Sequence, residues 1–195
     1  MAEQLALPWG RAGLAHIGYQ GYTPAALLVD LHEAGVRRVV DVRLNPISRK
    51  PGFSKNALSA TLTAAGISYV HYRALGNPPA NRPGFGGSPE QVEAARAAYG
   101  ELLNAPAARD ALAELVEAAR TQIVALLCVE ADVARCHRFV LWQRFFMGTL
   151  VPATRSDQRQ ASVAEPGRET PTVLDRSAMS PGPTRATRHA PHPRS

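Results

Sequence analysis

The sequence predicts an α/β domain with a mostly parallel sheet of about four strands, flanked by helices. Short apolar and β-branched runs alternate with segments of helical spacing, as in consecutive strand–helix units. In addition, two helix-to-strand joins are alike, since Ala34-Gly35-Val36 and Ala65-Gly66-Ile67 each place a glycine directly before a predicted strand. Repeated crossovers of this kind are typical of a parallel sheet.

The first half of the chain is predicted to hold three strands and two helices. Thr23 and Pro24 form an N-cap with proline at the first helical position, and Gly35 ends that helix. Ser54 can cap the second helix, which runs through Ala65 to a glycine stop. The predicted strands are Leu14–Ile17, Val36–Val42 and Ile67–Tyr72.

The second half is predicted to hold three helices and one strand. Asn77–Gly87 contains three prolines and three glycines and is predicted to be a loop. Ser88-Pro89-Glu90-Gln91 is a capping box that starts a helix. Thr121–Val129 is the most hydrophobic strand and is expected at the centre of the sheet. The other predicted helices lie within Pro106–Arg120 and from about Arg135 to Met147.

The domain is predicted to span residues 12–149 and to be followed by a disordered tail, 150–195. From Pro152 onward the chain has no aromatic residue but seven prolines and seven arginines. Such a segment cannot bury enough apolar surface to offset its chain entropy.

The composition indicates an anionic partner and a reducing environment. A net charge of +6 and a pI near 9.9 favour an anionic small molecule or nucleic acid, although the tail carries half of that charge. Two cysteines cannot form a disulfide framework, and the N-terminal residues lack a secretory pattern. The longest apolar run, Ile123–Val129, is too short to span a bilayer. We therefore expect a cytoplasmic protein with no membrane partner and no cofactor; the oligomeric state stays open.

Polar side chains follow each predicted strand. Ligands of parallel α/β sheets bind outside the carboxyl ends of the strands, so we expect these residues to gather at one rim. They are His16 and Gly18–Gly21 after the first strand, Asp41 and Arg43 after the second, His71 and Tyr72 after the third, and Cys128, Glu130 and Cys136-His137-Arg138 after the last.

The loop Gly18-Tyr19-Gln20-Gly21 joins a strand to a capped helix. Backbone amides at such a helix start can hold an anion. A single G-Y-x-G pattern is a weak signal, however, and both glycines can serve only to make the turn.

Asp41 and Glu130 are the candidate acids. Asp41 ends a strand of valines, which favours a general base or an orienting carboxylate over a simple pair with Arg43. Glu130 is two residues beyond Cys128 and is expected to point to the same side of the strand end. Two carboxylates would suit acid–base or glycosidic chemistry, whereas a capping or salt-bridging role for Glu130 is equally open.

Cys136 precedes His137 and Arg138 near a predicted helix start, where a thiol can become reactive. If Asp132 is the N-cap instead, Cys136 lies a full turn inside the helix and this argument weakens. Cys128 is expected to be a core thiol. Zinc held by Cys128, Cys136 and His137 is conceivable, but the spacing fits no common structural site, and no metal is predicted.

The segment Arg43–Lys55 carries four cations, no acid and one aromatic residue, Phe53. One interpretation is that it binds phosphate, including the phosphates of a nucleic acid, through Arg49 and Lys50. It can equally be a solvated loop whose Phe53 tucks under the following helix.

Together these motifs resemble the domain-of-unknown-function 488 family. The residues that carry the resemblance are His16–Gly21, Asp41-Val42-Arg43 with Asn45-Pro46, Arg49–Lys55, Leu75-Gly76-Asn77, Leu127–Glu130 and Cys136-His137-Arg138. The resemblance implies a single α/β domain with clustered polar motifs and brings no established activity. Gln20 stands where an acid or a small polar residue is expected in relatives.

The sequence thus supports two main functional hypotheses, with thiol chemistry at Cys136 as a third possibility. The first is an enzyme, a hydrolase, glycosidase or transferase, that acts by acid–base chemistry on a phosphate-bearing, nucleotide-like or nucleic-acid substrate. The second is a non-catalytic nucleic-acid-binding module that uses the basic loop 43–55. The predicted catalytic residues are Asp41, Glu130 and His137, and the predicted substrate-binding residues are Gly18, Tyr19, Gly21, Arg43, Arg49, Lys50, Cys136 and Arg138.

Overall fold

A four-stranded, all-parallel sheet lies at the centre of residues 13–147, the part of the chain that the computed structural model describes. The predicted α/β class is therefore confirmed. The strands are β1 (Gly13–Gly18), β2 (Arg38–Asp41), β3 (Ser68–His71) and β4 (Ile123–Cys128). The helices are α1 (Pro24–Glu33), α2 (Lys55–Ala64), α3 (Arg82–Phe85), α4 (Pro89–Leu102), α5 (Pro106–Thr121) and α6 (Arg138–Phe146).

The strand order is β1-β4-β2-β3, so the last strand inserts between the first two. This confirms the central position predicted for the most hydrophobic strand. In the register, Gly18 pairs with Cys128, and Asp41 pairs with both Leu127 and His71. The carboxyl ends of all four strands consequently finish at the same edge of the sheet.

Two separate cores cover the two faces of the sheet. Alternation along β4 sends Leu126 and Cys128 to one face and Ala125 and Leu127 to the other. The first face packs against α4, α5 and α6 and the second against α1 and α2. We call them the α6 face and the α1 face.

The predicted helix signals are present at the first and fourth helices and in part at the second. Ser54 stands at the N-cap position of α2, but its side chain makes no capping hydrogen bond. Thr23 accepts a hydrogen bond from the backbone N–H of Ala26, and Ser88 forms a complete capping box with Gln91. Gly35 and Gly66 follow α1 and α2 with left-handed backbone, φ +68° and +74°. These glycines therefore stop the helices as their positions predict.

The segment predicted to be an open loop, Asn77–Gly87, instead contains a 3₁₀ turn at Pro79–Asn81 and the short helix α3. The prediction was wrong because tertiary contacts outweigh the local proline and glycine content. Asn81 donates to the carbonyl of Ala95 and to the side chain of Asn77, and Phe85 is buried in the core of the α6 face.

The last helix begins at Arg138 rather than at about Arg135. Asp132 caps a separate 3₁₀ turn, Val133–Arg135, and Cys136 then takes an extended conformation. Cys136 therefore lies just before α6 and not within it.

Within residues 13–147, no helix is long and apolar enough to cross a membrane. The predicted tail, 150–195, lies outside the described residues.

Candidate functional site

A cleft of about 620 Å³ opens at the carboxyl edge of the sheet, on the α6 face. Its lining combines three arginines, two asparagines, two thiols, an imidazole and one carboxylate with a few apolar side chains. The lining residues are Arg43, Leu44, Asn45, Ile47, Asn77, Arg82, Phe85, Gly86, Cys128, Val129, Glu130, Arg135, Cys136 and His137.

Two polar clusters lie at this edge, one on each face of the sheet. The Asp41 cluster (Asp41, Arg43 and Tyr69) is on the α1 face, because Asp41 follows Val39 in the strand alternation. The Cys136 cluster (Cys128, Glu130, Cys136, His137 and Arg138) is on the α6 face and supplies four of the residues that line the cleft. Asp41 and His137 therefore share the edge but not a pocket.

The Asp41 cluster is closed. Asp41 has no exposed surface, and its carboxylate accepts from Nε and Nη2 of Arg43 at 2.5–3.1 Å and from the hydroxyl of Tyr69 at 2.6 Å. It also accepts from the backbone N–H of Arg43. Nη1 of Arg43 donates to the carbonyl of Phe53 and to the hydroxyl of Tyr19. Every polar group of the pair thus has a partner inside the protein.

The pKa shifts in this cluster favour the same pairing. Burial raises the pKa of Tyr69, and the hydrogen bond to Asp41 adds to this increase. Burial alone would lower the pKa of Arg43, but the hydrogen bonds and charge of Asp41 outweigh it and raise that pKa. Arg43 therefore stays charged and paired.

The Gly18–Gly21 loop has a structural role. The backbone N–H groups of Tyr19 and Gln20 donate to the carbonyls of Cys128 and Val129, so they are already engaged. Gly18 lies so close to Glu130 that a Cβ would collide with its carbonyl, and Gly21 has a left-handed φ of +85°. This geometry gives the anion-binding interpretation of the loop no support.

In the Cys136 cluster, two thiols meet one carboxylate. Oε2 of Glu130 lies 3.1 Å from Sγ of Cys128 and 3.2 Å from Sγ of Cys136. The predicted placement of Glu130 and Cys128 on the same side is therefore present in the structure. Both cysteines are free and buried, and both line the cleft.

His137 is held in one orientation. Its Nε2 lies 3.0 Å from the carbonyl of Val42, which can only accept, so Nε2 carries the proton. The other nitrogen, Nδ1, faces Sγ of Cys136 at 3.7 Å. Tyr99 packs edge-on against the ring, with centroids 5.1 Å apart. In the neutral ring, Nδ1 is thus an acceptor aimed at the cluster.

Arg138 is a fully buried cation with no carboxylate partner among the described residues. Its Nε donates to Sγ of Cys136 at 3.2 Å, and Nη2 donates to the backbone carbonyl of Glu130. Nη1 has no hydrogen-bond partner within residues 13–147. Because a guanidinium does not lose its proton in proteins, a thiolate at Cys136 is its nearest available countercharge.

The pKa values of the two thiols are shifted in opposite directions. Burial opposes ionisation of Cys136, but hydrogen bonds from Cys128 and His137 and the charge of Arg138 outweigh it, so its pKa lies well below that of a free thiol. The hydrogen bond to Cys136, together with burial, raises the pKa of Cys128 well above the ordinary value. Cys136 is therefore the more acidic thiol of the pair.

The cationic rim of the cleft was not predicted from the sequence. Arg82 donates through Nε to the carbonyl of Asn77, and Arg135 donates through Nη1 to the carbonyl of Gly87 at 2.7 Å. Both side chains are exposed. Arg82 lies in the segment predicted to be a loop, and no sequence pattern there indicates a binding residue. Of that segment, Asn77 alone belonged to a motif of the family resemblance.

The basic loop lies mostly outside the cleft. Phe53 is fully buried and stacks on Tyr19, with ring centroids 4.5 Å apart, which matches the structural alternative for this aromatic residue. Lys50 lies against the Phe53 ring and the carbonyl of Tyr19, whereas Arg49 is exposed. Neither Arg49 nor Lys50 lines the cleft.

Three donors in the Cys136 cluster can hold a metal ion. Sγ of Cys128, Sγ of Cys136 and a ring nitrogen of His137 all lie within 4.8 Å of one another. The sequence analysis considered zinc binding by these three residues but did not predict it, because their spacing fits no common structural site.

Comparison with known proteins places the chain in a family. A model of the family described as "Domain of unknown function DUF488" matches residues 24–145, more than half of the chain. The match confirms the resemblance predicted from the motifs, although His16–Gly21 precedes the matched range. No curated protein and no solved structure shows a significant match.

Proposed function

Starting from the membership of this chain in the DUF488 family, we propose that it is an enzyme that acts on a small phosphate-bearing substrate bound in the cleft. One observation carries the proposal. The cleft joins a cationic rim to a buried cluster of an acid, two thiols and an imidazole at the carboxyl edge of a parallel sheet.

The charge of the lining favours an anion. Arg43 is neutralised by Asp41, which leaves Arg82 and Arg135 facing a single carboxylate, Glu130, among the described lining residues. Each rim arginine has one N–H anchored on a backbone carbonyl, so its guanidinium is positioned before the ligand arrives. Arginines held in this way bind phosphate through charge-assisted hydrogen bonds.

Glu130 is the residue we assign to proton transfer. It is half-buried, lines the cleft and lies within hydrogen-bond distance of both thiols. His137, fixed by the carbonyl of Val42, lies at the floor beside it. Asp41 is a positioning residue in this proposal, because it holds Arg43 and does not line the cleft.

A binding screen tests the anion site. The panel contains inorganic phosphate, sugar phosphates, nucleosides, nucleotides and short oligonucleotides, with affinity measured by calorimetry. Arg82→Gln and Arg135→Gln should each weaken a phosphate-bearing ligand about tenfold or more, since hydrogen bonds to charged groups contribute about 1.5–3 kcal/mol. Arg37→Gln is the matched control, an exposed arginine just before β2 at the opposite edge of the sheet.

Turnover of the ligands that bind tests the chemistry. Glu130→Gln should keep binding and lower the rate by a factor of about 10² to 10⁴, the usual contribution of a general acid or base. If no panel compound binds, or if the rim variants bind as the wild type does, the proposal fails.

The nucleic-acid-binding module has weaker support. Stacking of a base on Phe53 would require that ring to leave its buried position against Tyr19. The oligonucleotides in the panel decide this alternative, since a module of this kind predicts binding that weakens steeply with salt and falls further in Arg49→Gln.

A further inference from the structure

We propose that Cys128, Cys136 and His137 form a binding site for a soft divalent metal ion, and that zinc is the ion these donors fit best. The inference adds a metal ion to the cleft of the proposed function. It rests on that function for the choice of this cleft as the site, whereas the donor atoms argue for the metal ion independently. Its test needs no turnover.

The spacing of the donor atoms is close to that of a tetrahedral site. Zinc binds thiolate sulfur at about 2.3 Å and imidazole nitrogen at about 2.0–2.1 Å, so neighbouring donors around it lie about 3.5–3.8 Å apart. Sγ of Cys136 and Nδ1 of His137 are 3.7 Å apart, and all three donors lie within 4.8 Å of one another. The three donors are therefore close enough together to share one ion.

The second nitrogen of His137 supports the same conclusion independently. Metal-binding histidines generally donate their other ring N–H to a carboxylate or a backbone carbonyl, which fixes the tautomer and the ring. Nε2 of His137 does so to the carbonyl of Val42, at the end of a neighbouring strand. This leaves the lone pair of Nδ1 directed at the cysteines.

The charge of the cluster is compatible with a bound cation. Oε2 of Glu130 lies 3.1 and 3.2 Å from the two thiol sulfurs, and Nε of Arg138 donates to Sγ of Cys136. Two thiolates and the Glu130 carboxylate would together balance a divalent ion and Arg138.

The site has the composition of a catalytic rather than a structural zinc site. Structural sites are closed by four protein ligands, whereas catalytic sites use three, Cys₂His among them, and keep one position for water or substrate. All three proposed ligands line the cleft, and Glu130 lies beside them. The open position would thus be presented to the same cleft as the cationic rim.

Cobalt(II) provides the direct probe. The full-length chain, kept reduced and freed of metal by a chelator, is titrated with Co²⁺ and followed by absorbance. We expect a near-ultraviolet thiolate-to-cobalt band that saturates at one ion per chain and disappears on addition of Zn²⁺. Cys128→Ser and Cys136→Ser should each weaken the band or abolish it, and His137→Gln should lower affinity for Co²⁺ at least tenfold.

His71→Gln is the matched control. His71 also ends a strand and bonds a backbone carbonyl, that of Arg43 at 2.8 Å, but it is outside the Cys136 cluster. Its variant should bind Co²⁺ as the wild type does. Because a serine variant can fail to fold, the wild type is also heated with and without Zn²⁺, and Zn²⁺ should raise Tm.

Absence of a thiolate band in the folded, reduced wild type, or a Tm that Zn²⁺ leaves unchanged, overturns the metal site. Equal bands in wild type and Cys136→Ser overturn it as well. The rim variants Arg82→Gln and Arg135→Gln separate the two proposals. They should weaken anion binding and leave the cobalt band intact, so either proposal can fail without the other.

Discussion

The two polar clusters at the carboxyl edge of the sheet are built from similar residues and differ in how completely they are satisfied. In the Asp41 cluster the carboxylate and the guanidinium have all their partners within the protein. In the Cys136 cluster the buried guanidinium lacks a carboxylate, and one of its nitrogens lacks any described partner. Four residues of the second cluster line the cleft, whereas of the first cluster only Arg43 does.

The comparison shows that a buried charge at a strand end is not enough to indicate chemistry. A cluster whose hydrogen bonds are complete has no capacity left for a ligand, so it stabilises the fold. A cluster that keeps donor atoms available and lines a cleft can accept a ligand, and this is where we place the function.

The largest predicted effect separates the clusters by stability. Asp41→Asn removes the charge that neutralises buried Arg43 and should lower the free energy of unfolding by about 3 kcal/mol or more, as expected when a buried pair is broken. Glu130→Gln, at a half-buried site, should change it by less than about 1 kcal/mol. Urea unfolding measures both, and similar losses in the two variants would contradict the distinction.

Two glycines of one loop give the next effect. A methyl group at Gly18 would overlap the carbonyl of Glu130 and the guanidinium of Arg138, so Gly18→Ala should lower stability by about 1–3 kcal/mol and disturb the Cys136 cluster. Gly21 has open space around it and only its φ of +85° resists a side chain, so Gly21→Ala should lower stability by about 1 kcal/mol or less. Thermal unfolding of the two variants measures both losses of stability. A larger loss in Gly21→Ala than in Gly18→Ala would be incompatible with these contacts.

The smallest effect is a pH dependence at His16, whose pKa is lowered by burial and then by the charge of Arg138, against a smaller opposing effect of Cys136. The unfolded chain takes up a proton near pH 6.5 while the folded chain does not, so stability should fall as pH drops below about 6.5.

His16→Gln should make the stability curve flatter in that range, and His32→Gln, at an exposed position on α1, is the control. A wild-type curve that rises as pH falls from 6.5 would refute the assignment.

Much of the fold was predictable because its signals are local. The caps at Thr23 and Ser88 and the glycine stops at Gly35 and Gly66 depend on residues within one turn, and the apolar run of β4 indicated its central place. The short helix α3 was missed because it depends on distant partners, such as the contact of Asn81 with Ala95, that no local pattern reveals. The start of α6 was misplaced for a local reason, because Asp132 caps a separate 3₁₀ turn before it.

The sequence could predict the edge of the sheet at which the site lies, but not the face of the sheet to which each side chain points. Parallel strands end together, so residues at their ends had to gather, and Glu130 lies with Cys128 as strand alternation suggested. Which face Asp41 points to depends on the exact position of each strand, and Arg43 reaches the cleft from a pair that is already complete. The roles of Arg82 and Arg135 required the folding of segments whose patterns indicate only loop and helix.

X-ray diffraction can show whether the two thiols and the imidazole of the Cys136 cluster bind a metal ion. Crystals of the reduced chain grown with Zn²⁺ are measured on both sides of the zinc absorption edge. We expect an anomalous peak bonded to Sγ of Cys128, Sγ of Cys136 and Nδ1 of His137, and none beside Asp41. Free thiols with no peak between them, in a crystal soaked to saturation, would contradict this expectation.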